Sequence, residues 1–399
     1  MDFSLTPEQA ELVARAREAS REFPARARAY DAAAAFPREN FDDLARAGLL
    51  ALTVPKEYGG LGYWQPGRYL AYYLVIEEIA RHCSSTAQLL QVHSHAVGMI
   101  AGMGSPAQKA RYLPEVVKKG ALFASCGSEA SVRQKGPEGF DAVLRPSGGG
   151  YTLSGYKGFA SLAGAADYYV IWALVEGTRR MADGLVMVVV PKGAPGVRLE
   201  NDWDTLGMRP TVSWSLHLDA VPVEQEQVIG QPGDWVQKDA RTFTLAFAAN
   251  HLGTAQGVHD RVLDFVRVRE DLKANPVVQC QLAEADTLLA SSRALLHYAA
   301  WLWEQGRVDE AELASMRALH QTKQTALTVT SRAFDICGAR ATYRTFPAPL
   351  ELAFRDVRTF TLHFREDRLL QMLAQAILGA PFHSKQKYGP KLEPVQMHA

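Results

Sequence analysis

The side chains in this sequence that could do chemistry are a close histidine pair and two serines. His93 and His95 are separated by one residue, and on a helix they would point to different sides. Metal ligation would need further histidines or carboxylates at helical spacing, and none is near, so we expect no metal site. Ser128 lies beside Glu129 and Ser161 follows a Lys-Gly-Phe-Ala segment, but the chain has no G-x-S-x-G turn. Nucleophilic hydrolysis is therefore not expected, and structural histidines are the simpler interpretation.

Two further segments have the composition of ligand sites. Gly59-Gly60-Leu61-Gly62 follows no clear strand and lacks a Lys-Ser/Thr pair, so it predicts a structural loop. Arg355-Asp356-Val357-Arg358 lies between Phe354 and Phe360, and charges enclosed by aromatic residues are costly unless they are paired. This charged segment therefore fits a buried or interface network as well as it fits a solvated surface.

The elements that must position these residues occur in three blocks. Residues 1–120 show apolar residues at helical spacing and open with a capping sequence, Thr6-Pro7-Glu8-Gln9. Residues 121–231 contain short β-branched and aromatic runs between glycine-rich turns, which predicts a β-domain. Helical spacing returns in residues 232–399. The block order predicts an α+β fold with segregated helices and strands.

Composition excludes several function classes. The chain has 399 residues, with 43 Lys+Arg against 43 Asp+Glu, and this neutrality argues against nucleic-acid binding. No apolar run approaches the roughly 20 residues that span a bilayer, and no basic leader with an apolar core opens the sequence. The four cysteines lie far apart without a C-x-x-C pair, as expected in a reducing compartment. We therefore predict a soluble cytoplasmic protein without a membrane partner.

Five short segments follow one another in a characteristic order. They are Val54–Gly62, Gly104–Pro114, Gly155–Ser161, Leu206–Ser213 with Val221-Pro222-Val223 after it, and Arg355-Asp356. Each is weak by itself, but all five in order resemble the acyl-CoA dehydrogenase superfamily over nearly the whole chain. The resemblance implies an N-terminal helical domain, a middle β-barrel or β-sandwich domain, and a C-terminal four-helix bundle.

The resemblance also implies a flavin between the β-domain and the C-terminal helices, namely FAD, or FMN in a monooxygenase-like member. By position, the implied cofactor-binding residues are Ser125, Gly127 and Ser128 at the ring edge, Phe159 near the ring, Ser161 on the N5 side, and Gly338. Strand amides and hydroxyls suit the polar edge of such a ring, and an aromatic side chain packs on its face. A homodimer or homotetramer is implied, in which a neighbouring subunit completes the site.

The position of the catalytic base is where the chain departs from the family. The family places a Glu nine residues after the Arg of the Arg-Asp pair, or on the first long C-terminal helix, to remove the α-proton of an acyl-CoA thioester. Those positions are Phe364 and Phe243, which with Arg355 we assign to the substrate pocket. The string that binds the FAD pyrophosphate is replaced by Arg267-Val268-Arg269-Glu270-Asp271. A dehydrogenase would need a relocated base, for which Glu366 is the candidate.

The chain also resembles a second branch of the superfamily, the flavin-dependent monooxygenases, at the positions where it departs from the dehydrogenases. That branch lacks the Glu and carries a Thr-Leu-His string, which here is Thr361-Leu362-His363. A histidine near the flavin can donate a hydrogen bond to a peroxide, which a carboxylate would repel. His363 would then replace the base, with His95 and Ser161 as its partners. Enzymes of this branch receive reduced flavin from a separate flavin reductase.

Three functional hypotheses follow. The first is an FAD-dependent acyl-CoA dehydrogenase that passes electrons to an electron-transfer flavoprotein, and the whole-chain resemblance marginally favours it. The second is a two-component monooxygenase acting on a small organic substrate, which Thr361-Leu362-His363 and the missing base favour. The third is a non-catalytic flavin-binding subunit, against which the retained Phe159 and Ser161 weigh mildly.

Overall fold

In the residues that the structure describes, the first block of the fold contains six α-helices. The computed structural model describes residues 4–64, 68–129, 141–178, 181–235 and 243–379. The helices are α1 (Pro7–Ala19), α2 (Phe23–Ala33), α3 (Arg38–Arg46), α4 (Tyr69–His82), α5 (Ser84–Met103) and α6 (Pro106–Lys119). The hydroxyl of Thr6 accepts the amide of Gln9, which confirms the predicted cap of α1. Helix α5 is buried from Ser84 to Ile100, so its polar side chains face the interior of the protein.

The second block is a mixed β-sheet, which confirms the predicted β-domain. Its strands are β1 (Phe123–Cys126), β2 (Val143–Ser147), β3 (Gly150–Ala160), β4 (Tyr168–Val175), β5 (Leu185–Pro191), β6 (Val197–Glu200), β7 (Trp214–Val223) and β8 (Val228–Ile229), with a short helix α7 (Met181–Gly184) before β5. The described strands run in the order β6-β7-β3-β2-β4-β5-β8, and β1 pairs in parallel with β4. Strands β4 and β5 are buried on both faces, which explains their continuous apolar sequence.

The third block is helical again, as predicted. Its helices are α8 (Phe243–Arg267), α9 (Glu270–Lys273), α10 (Pro276–Glu304), α11 (Val308–Cys337), α12 (Leu350–Phe360) and α13 (Glu366–Ile377). Helix α12 was not predicted, because its 11 residues are few for a periodic signal and carry the charged Arg355–Arg358 segment. Within the described ranges, no helix is long and apolar enough to cross a membrane.

Close helix packing joins the first and third blocks. Helix α8 packs against α11 and α10 of its own block and against α4 and α5 of the first block. At Gly253 an added Cβ would lie 2.0 Å from the carbonyl oxygen of Glu77, and at Gly257 it would lie 2.0 Å from that of Arg81. Glycine at these positions therefore allows α8 to approach α4 closely. Since α5 also contacts β1, all three blocks meet around α5.

Candidate active site

The carboxyl end of β1 forms the first part of the candidate site. His95 on α5 contacts Ser125 on β1, with 3.2 Å between the ring Nδ1 and the hydroxyl oxygen. The His95 ring also lies 6.1 Å from the ring of Trp172. At Gly127 an added Cβ would lie 2.9 Å from the Trp172 ring, so the close approach requires glycine. The structure thus brings three residues predicted for the site, His95, Ser125 and Gly127, to one end of the sheet.

A buried ion pair attaches this end of β1 to β3. The carboxylate of Glu129 accepts a hydrogen bond from the Lys157 ammonium, and neither side chain is exposed. The same carboxylate accepts the amide of Ala142 at 3.1 Å. Burial lowers the pKa of Lys157 to about 8, against the opposing effect of Glu129. The carbonyl of Ser128 accepts the amide of Gly158 at 3.1 Å, which completes the connection between the two predicted cofactor segments.

Backbone strain is concentrated next to this connection. Phe159 has φ of +54°, and three other non-glycine residues with positive φ lie nearby in the chain or the fold: Leu162 (74°), Met208 (56°) and Val212 (39°). Left-handed backbone costs free energy in residues with a side chain, and it persists where the surrounding structure imposes it. The Phe159 side chain is 45% exposed, and its ring lies 5.9 Å from that of Trp203. The strained end of β3 thus presents an exposed aromatic ring, which suits contact with a planar ligand.

A chain of hydroxyl groups runs inward from Ser161. The Ser161 and Ser213 oxygens are 2.8 Å apart, those of Ser213 and Thr211 are 2.7 Å apart, and Thr211 donates to the carbonyl of Met208 at 2.8 Å. A carbonyl only accepts and each hydroxyl has one proton, so Ser213 must donate to Thr211 and Ser161 must donate to Ser213. The Ser161 oxygen is therefore left as an acceptor for a ligand N–H group.

Histidines and aromatic rings form the opposite part of the candidate site. The His363 ring stacks on Phe247 of α8 at 4.5 Å, and the Phe364 ring meets Phe247 edge-on at 5.1 Å. His251, one turn after Phe247, lies 4.7 Å from the Phe360 ring, and its Nδ1 has no hydrogen-bond partner in the described part of the chain. Burial, together with nearby positive charge, lowers the pKa of His251 to about 3. Sequence reasoning missed His251, although a polar residue amid the apolar positions of α8 could have indicated it.

Glu366, the candidate relocated base, is held in an ion-pair cluster at the start of α13. Its carboxylate lies 2.6 Å from the Lys323 ammonium and also contacts the His320 ring. Burial alone would raise the pKa of Glu366, but the hydrogen bonds from Lys323 and His320 hold it below its usual value. Lys323, which is buried, also donates to the carbonyl of Phe364 at 2.9 Å. The cluster therefore fixes the backbone beside His363.

Three further residues that the sequence assigned to the site lie at the ends or on the faces of helices in the third block. Arg355 pairs with Asp31 and Glu351 and donates to the Leu206 carbonyl at 2.9 Å, so it links α2, α12 and the segment before β7. Gly338 ends α11 with φ of +77°. Phe243 begins α8, but its side chain lies outside the described part of the chain. Their assignments to the substrate pocket and the cofactor site stay predictions.

Met208 connects the parts of the site. Its amide donates to Asp356 on α12 at 2.5 Å, and its sulfur lies 3.6 Å from the hydroxyl of Ser84 on α5. Ser84 in turn donates to Asn250 on α8 at 2.9 Å. Because Asn250 is one turn from Phe247, these contacts bring the β-domain loops to the aromatic part of the site. The described residues contain no group of three potential metal ligands.

Comparison with known proteins shows similarity along most of the chain. Acryloyl-CoA reductase (NADH) from Anaerotignum propionicum is 29% identical over 368 residues, covering 90% of this chain and 91% of that protein. Dibenzothiophene monooxygenase from Mycolicibacterium goodii is 27% identical over 380 residues, covering 87% and 89%. The solved structure of indole-bound TdsC from Paenibacillus sp. A11-2 matches with a TM-score of 0.84 at 25% identity, covering 95% and 99%.

Family models identify the three blocks. The model of the acyl-CoA dehydrogenase N-terminal domain matches residues 6–120, that of the middle domain matches 132–221, and that of the C-terminal domain matches 239–363. These matches follow the order of helices, sheet and helices in the fold, and they agree with the resemblance found in the five sequence segments. The chain belongs to the acyl-CoA dehydrogenase superfamily.

Proposed function

We propose that this protein is a flavin-dependent monooxygenase that oxygenates a small organic substrate with reduced flavin from a separate reductase. One observation carries the proposal: the carboxylate of Glu366, the candidate replacement for the missing base, is held by the Lys323 ammonium and the His320 ring. Removal of an α-proton needs a carboxylate with access to the substrate. The groups stacked around Phe247 are instead the rings of His363, Phe360 and Phe364, which suit hydrogen-bond donation and water exclusion.

The residues on the β-domain side fit a flavin. The Ser161 oxygen is held as an acceptor, which matches the N5–H group of a reduced flavin, and the exposed Phe159 ring is available to the isoalloxazine. When bound, the reduced flavin with O₂ supplies the oxygen atom for transfer. The relatives named dibenzothiophene monooxygenase, and TdsC, which is known with FMN, support this assignment.

The choice between FMN and FAD depends on the segment that replaces the pyrophosphate-binding string. Arg267 pairs with Asp264 at 3.0 Å and Arg269 with Asp271 at 3.7 Å, so both guanidinium groups already have carboxylate partners. FMN has no pyrophosphate, so its binding does not require contacts from this segment. We therefore propose that FMN binds at least as well as FAD, with FAD as the alternative cofactor.

The chain's own residues have separate roles in this proposal. His363 would donate a hydrogen bond to a ligand oxygen in the site, and stacking on Phe247 holds its ring. His95 is oriented by Ser125 and completes the polar edge of the site. Lys323 and Glu366 do not react: Lys323 donates to the Phe364 carbonyl and Glu366 holds Lys323 in place, which fixes the backbone beside His363.

The proposal is tested by substituting His363 and measuring how tightly reduced-flavin oxidation is coupled to oxygenation. His363→Ala should raise hydrogen peroxide release and lower product formation at least tenfold with dibenzothiophene as the probe substrate. His217→Ala is the matched control, because His217 lies on β7 and pairs with Glu200. Coupling that is unchanged in His363→Ala would contradict the proposed role.

The dehydrogenase hypothesis predicts that an acyl-CoA thioester reduces the bound flavin in the absence of oxygen. If acyl-CoA thioesters bleach the oxidised flavin band of the anaerobic protein, the protein is a dehydrogenase with a relocated base. In that case Glu366→Gln should abolish the bleaching while ligand binding persists. We expect no bleaching, because the carboxylate would first have to leave Lys323 and His320.

A further inference from the structure

A cavity of about 390 Å³ lies where α1, α2, α4 and α8 meet. Arg261 on α8 lies 14 residues after Phe247, which is about 21 Å along a helix, so the cavity is separate from the candidate active site. The Arg17 side chain is 58% exposed, so the cavity opens to solvent beside α1. The charged and titratable residues that line the cavity are Arg17, Glu78, Arg81, His82, Asp260 and Arg261.

Two of the three arginines are paired with the two carboxylates of the cavity. The Nε atom of Arg17 lies 2.7 Å from the Glu78 carboxylate, and the Nε atom of Arg81 lies 2.5 Å from the Asp260 carboxylate. The other oxygen of Asp260 accepts a hydrogen bond from the side-chain amide of Gln256 at 3.0 Å. The negative charges of Glu78 and Asp260 are therefore already compensated by Arg17 and Arg81.

Arg261 is the third arginine, and its charge is left in excess. Among the described residues its one hydrogen bond goes to the carbonyl of Arg81, at 3.2 Å. Gly257 permits this approach, since an added Cβ there would lie 2.0 Å from the same carbonyl oxygen. Burial lowers the pKa of Arg261, against the opposing effect of Asp260. A guanidinium has five N–H donors, so most of those on Arg261 can bond to a ligand.

His82, the last residue of α4, supplies a second donor to the cavity. Its Nε2 atom is buried and has no hydrogen-bond partner in the part of the chain that the structure describes. The atom lies 3.6 Å from Glu78, which is too far for a hydrogen bond. Most buried polar groups in proteins have a partner, so Nε2 is available to a group that enters the cavity.

We propose that this cavity binds a phosphate group, with Arg261 and His82 as its hydrogen-bond donors. A guanidinium matches two oxygens of a phosphate, and here it carries the positive charge that the two carboxylates leave uncompensated. The oxygens of a phosphate are arranged tetrahedrally, so they can accept from donors on two helices, whereas the oxygens of a carboxylate lie in one plane. The cavity volume is in the range of small-molecule pockets, so inorganic phosphate and a small phosphate ester both fit.

The first test is calorimetric titration of the flavin-loaded protein with inorganic phosphate at fixed ionic strength. Saturation with flavin fills the cofactor site, so the titration reports on a separate site. Wild-type protein should bind one phosphate per chain. Arg261→Gln should weaken binding at least tenfold and His82→Ala about threefold, because the first removes a charged donor and the second a neutral one.

Arg145→Gln is the matched control for the loss of one positive charge. Arg145 pairs with Glu176 at 3.1 Å, outside the cavity, and this variant should bind phosphate like the wild type. Absence of binding by the wild type, or wild-type affinity in either cavity variant, would overturn the proposal. Acetate that binds as tightly as phosphate would also overturn it. Glycerol 3-phosphate that binds more tightly than inorganic phosphate would identify an ester as the ligand, and equal or weaker binding would identify free phosphate.

The second test separates ligand binding from the structural contact that Arg261 makes with Arg81. Arg261→Gln should lower the urea midpoint even without phosphate, since the Arg81 carbonyl loses a donor. The measured quantity is therefore the rise in midpoint when phosphate replaces chloride at equal ionic strength. Phosphate also stabilises proteins without binding, but bound phosphate adds to that effect, so the rise should be larger in the wild type than in Arg261→Gln or His82→Ala. Equal rises in all three proteins would overturn the proposal.

Discussion

At the scale of single residues, the direction of one hydrogen bond determines which ligand groups the β-domain side of the site can bind. Thr211 must donate to the Met208 carbonyl, and this fixes the protons of Ser213 and Ser161 in turn. The outer end of this hydroxyl chain, Ser161, is half-buried, and its oxygen is therefore left to accept a hydrogen bond. A reduced flavin has an N5–H donor whereas an oxidised flavin has only an acceptor there, so the site should prefer the reduced form.

Ser213→Ala should weaken this preference, because the freed Ser161 hydroxyl could then donate as well as accept. Without the Ser213 oxygen, the Ser161 proton is released and can be donated to a ligand. We expect the affinity for oxidised FMN to rise relative to that for reduced FMN by about three- to tenfold, the effect of one hydrogen bond. Anaerobic titrations with FMN in both redox states measure this ratio.

Ser215→Ala is the control for the loss of a buried hydroxyl on the same strand. Ser215 bonds to Asp202 and Tyr156, outside the Ser161 chain. Its removal should leave the affinity ratio unchanged. If Ser213→Ala and Ser215→Ala gave the same ratio as the wild type, Ser161 would not contact N5.

At the scale of elements, helix α12 holds the strained segment before β7. An added Cβ at Gly207 would lie 2.2 Å from the Arg355 carbonyl, so the segment lies directly against the helix. Arg355 donates to the Leu206 carbonyl, and Asp356 accepts the Met208 amide. The positive φ of Met208 is thus held in place by a helix that the sequence pattern did not reveal.

Because Asp356 is buried, we predict that the free energy of unfolding depends on pH. Burial raises the pKa of Asp356 to about 7, against the opposing hydrogen bond from Met208. A pKa above the unfolded value means that the stabilising contribution is complete below about pH 4 and is lost as the pH rises to about 7. Asp356→Asn keeps an acceptor for Met208 and cannot ionise. Its stability relative to wild type should therefore increase by about 1 kcal/mol per pH unit across this interval and then level off.

Urea unfolding at intervals between pH 4 and pH 8 measures this difference. Asp202→Asn is a suitable comparison, because the pKa of Asp202 is lowered by its bonds to Ser215 even though burial opposes that shift. At neutral pH, Asp202→Asn should have a lower free energy of unfolding than the wild type. A wild-type and Asp356→Asn difference that is independent of pH would show that Asp356 stays ionised in the folded protein.

At the scale of the whole molecule, exposed apolar side chains predict a surface for contact with another protein chain. Val268 is 81% exposed and Tyr343 is 64% exposed. The two belong to neighbouring segments, since the rings of Phe265 and Phe346 are 5.5 Å apart. Apolar groups exposed together in this way are typical of a protein–protein contact.

We predict a homodimer or homotetramer that uses this patch. Replacing both residues (Val268→Asp with Tyr343→Asp) should lower the native mass to that of a smaller species in sedimentation velocity, because burying two carboxylates disfavours association. Val117→Asp on α6 is the control, with 40% exposure in the wild type. An unchanged mass for the double variant would place the interface elsewhere.

Local sequence determined the order of the blocks and the limits of most elements. Capping residues at Thr6 and Ser105, helical spacing in α5, α8, α10 and α11, and β-branched runs in β4 and β5 act over a few residues. Such signals can be read without knowing the fold. The resemblance to the superfamily, and not these local signals, assigned Phe364 and Phe243 to the positions where a dehydrogenase has its base.

Tertiary structure alone decided which side chains have partners. The pairing of Glu366 with Lys323 and His320, the hydroxyl chain behind Ser161 and the contact of Arg261 with the Arg81 carbonyl all involve groups far apart in sequence or buried by other elements. Whether a polar group is satisfied depends on distances of a few ångströms between such elements, which no spacing rule encodes. The sequence thus determined which chemical groups the protein has, and the packing of α5, α8 and the sheet decided which of them can act on a ligand.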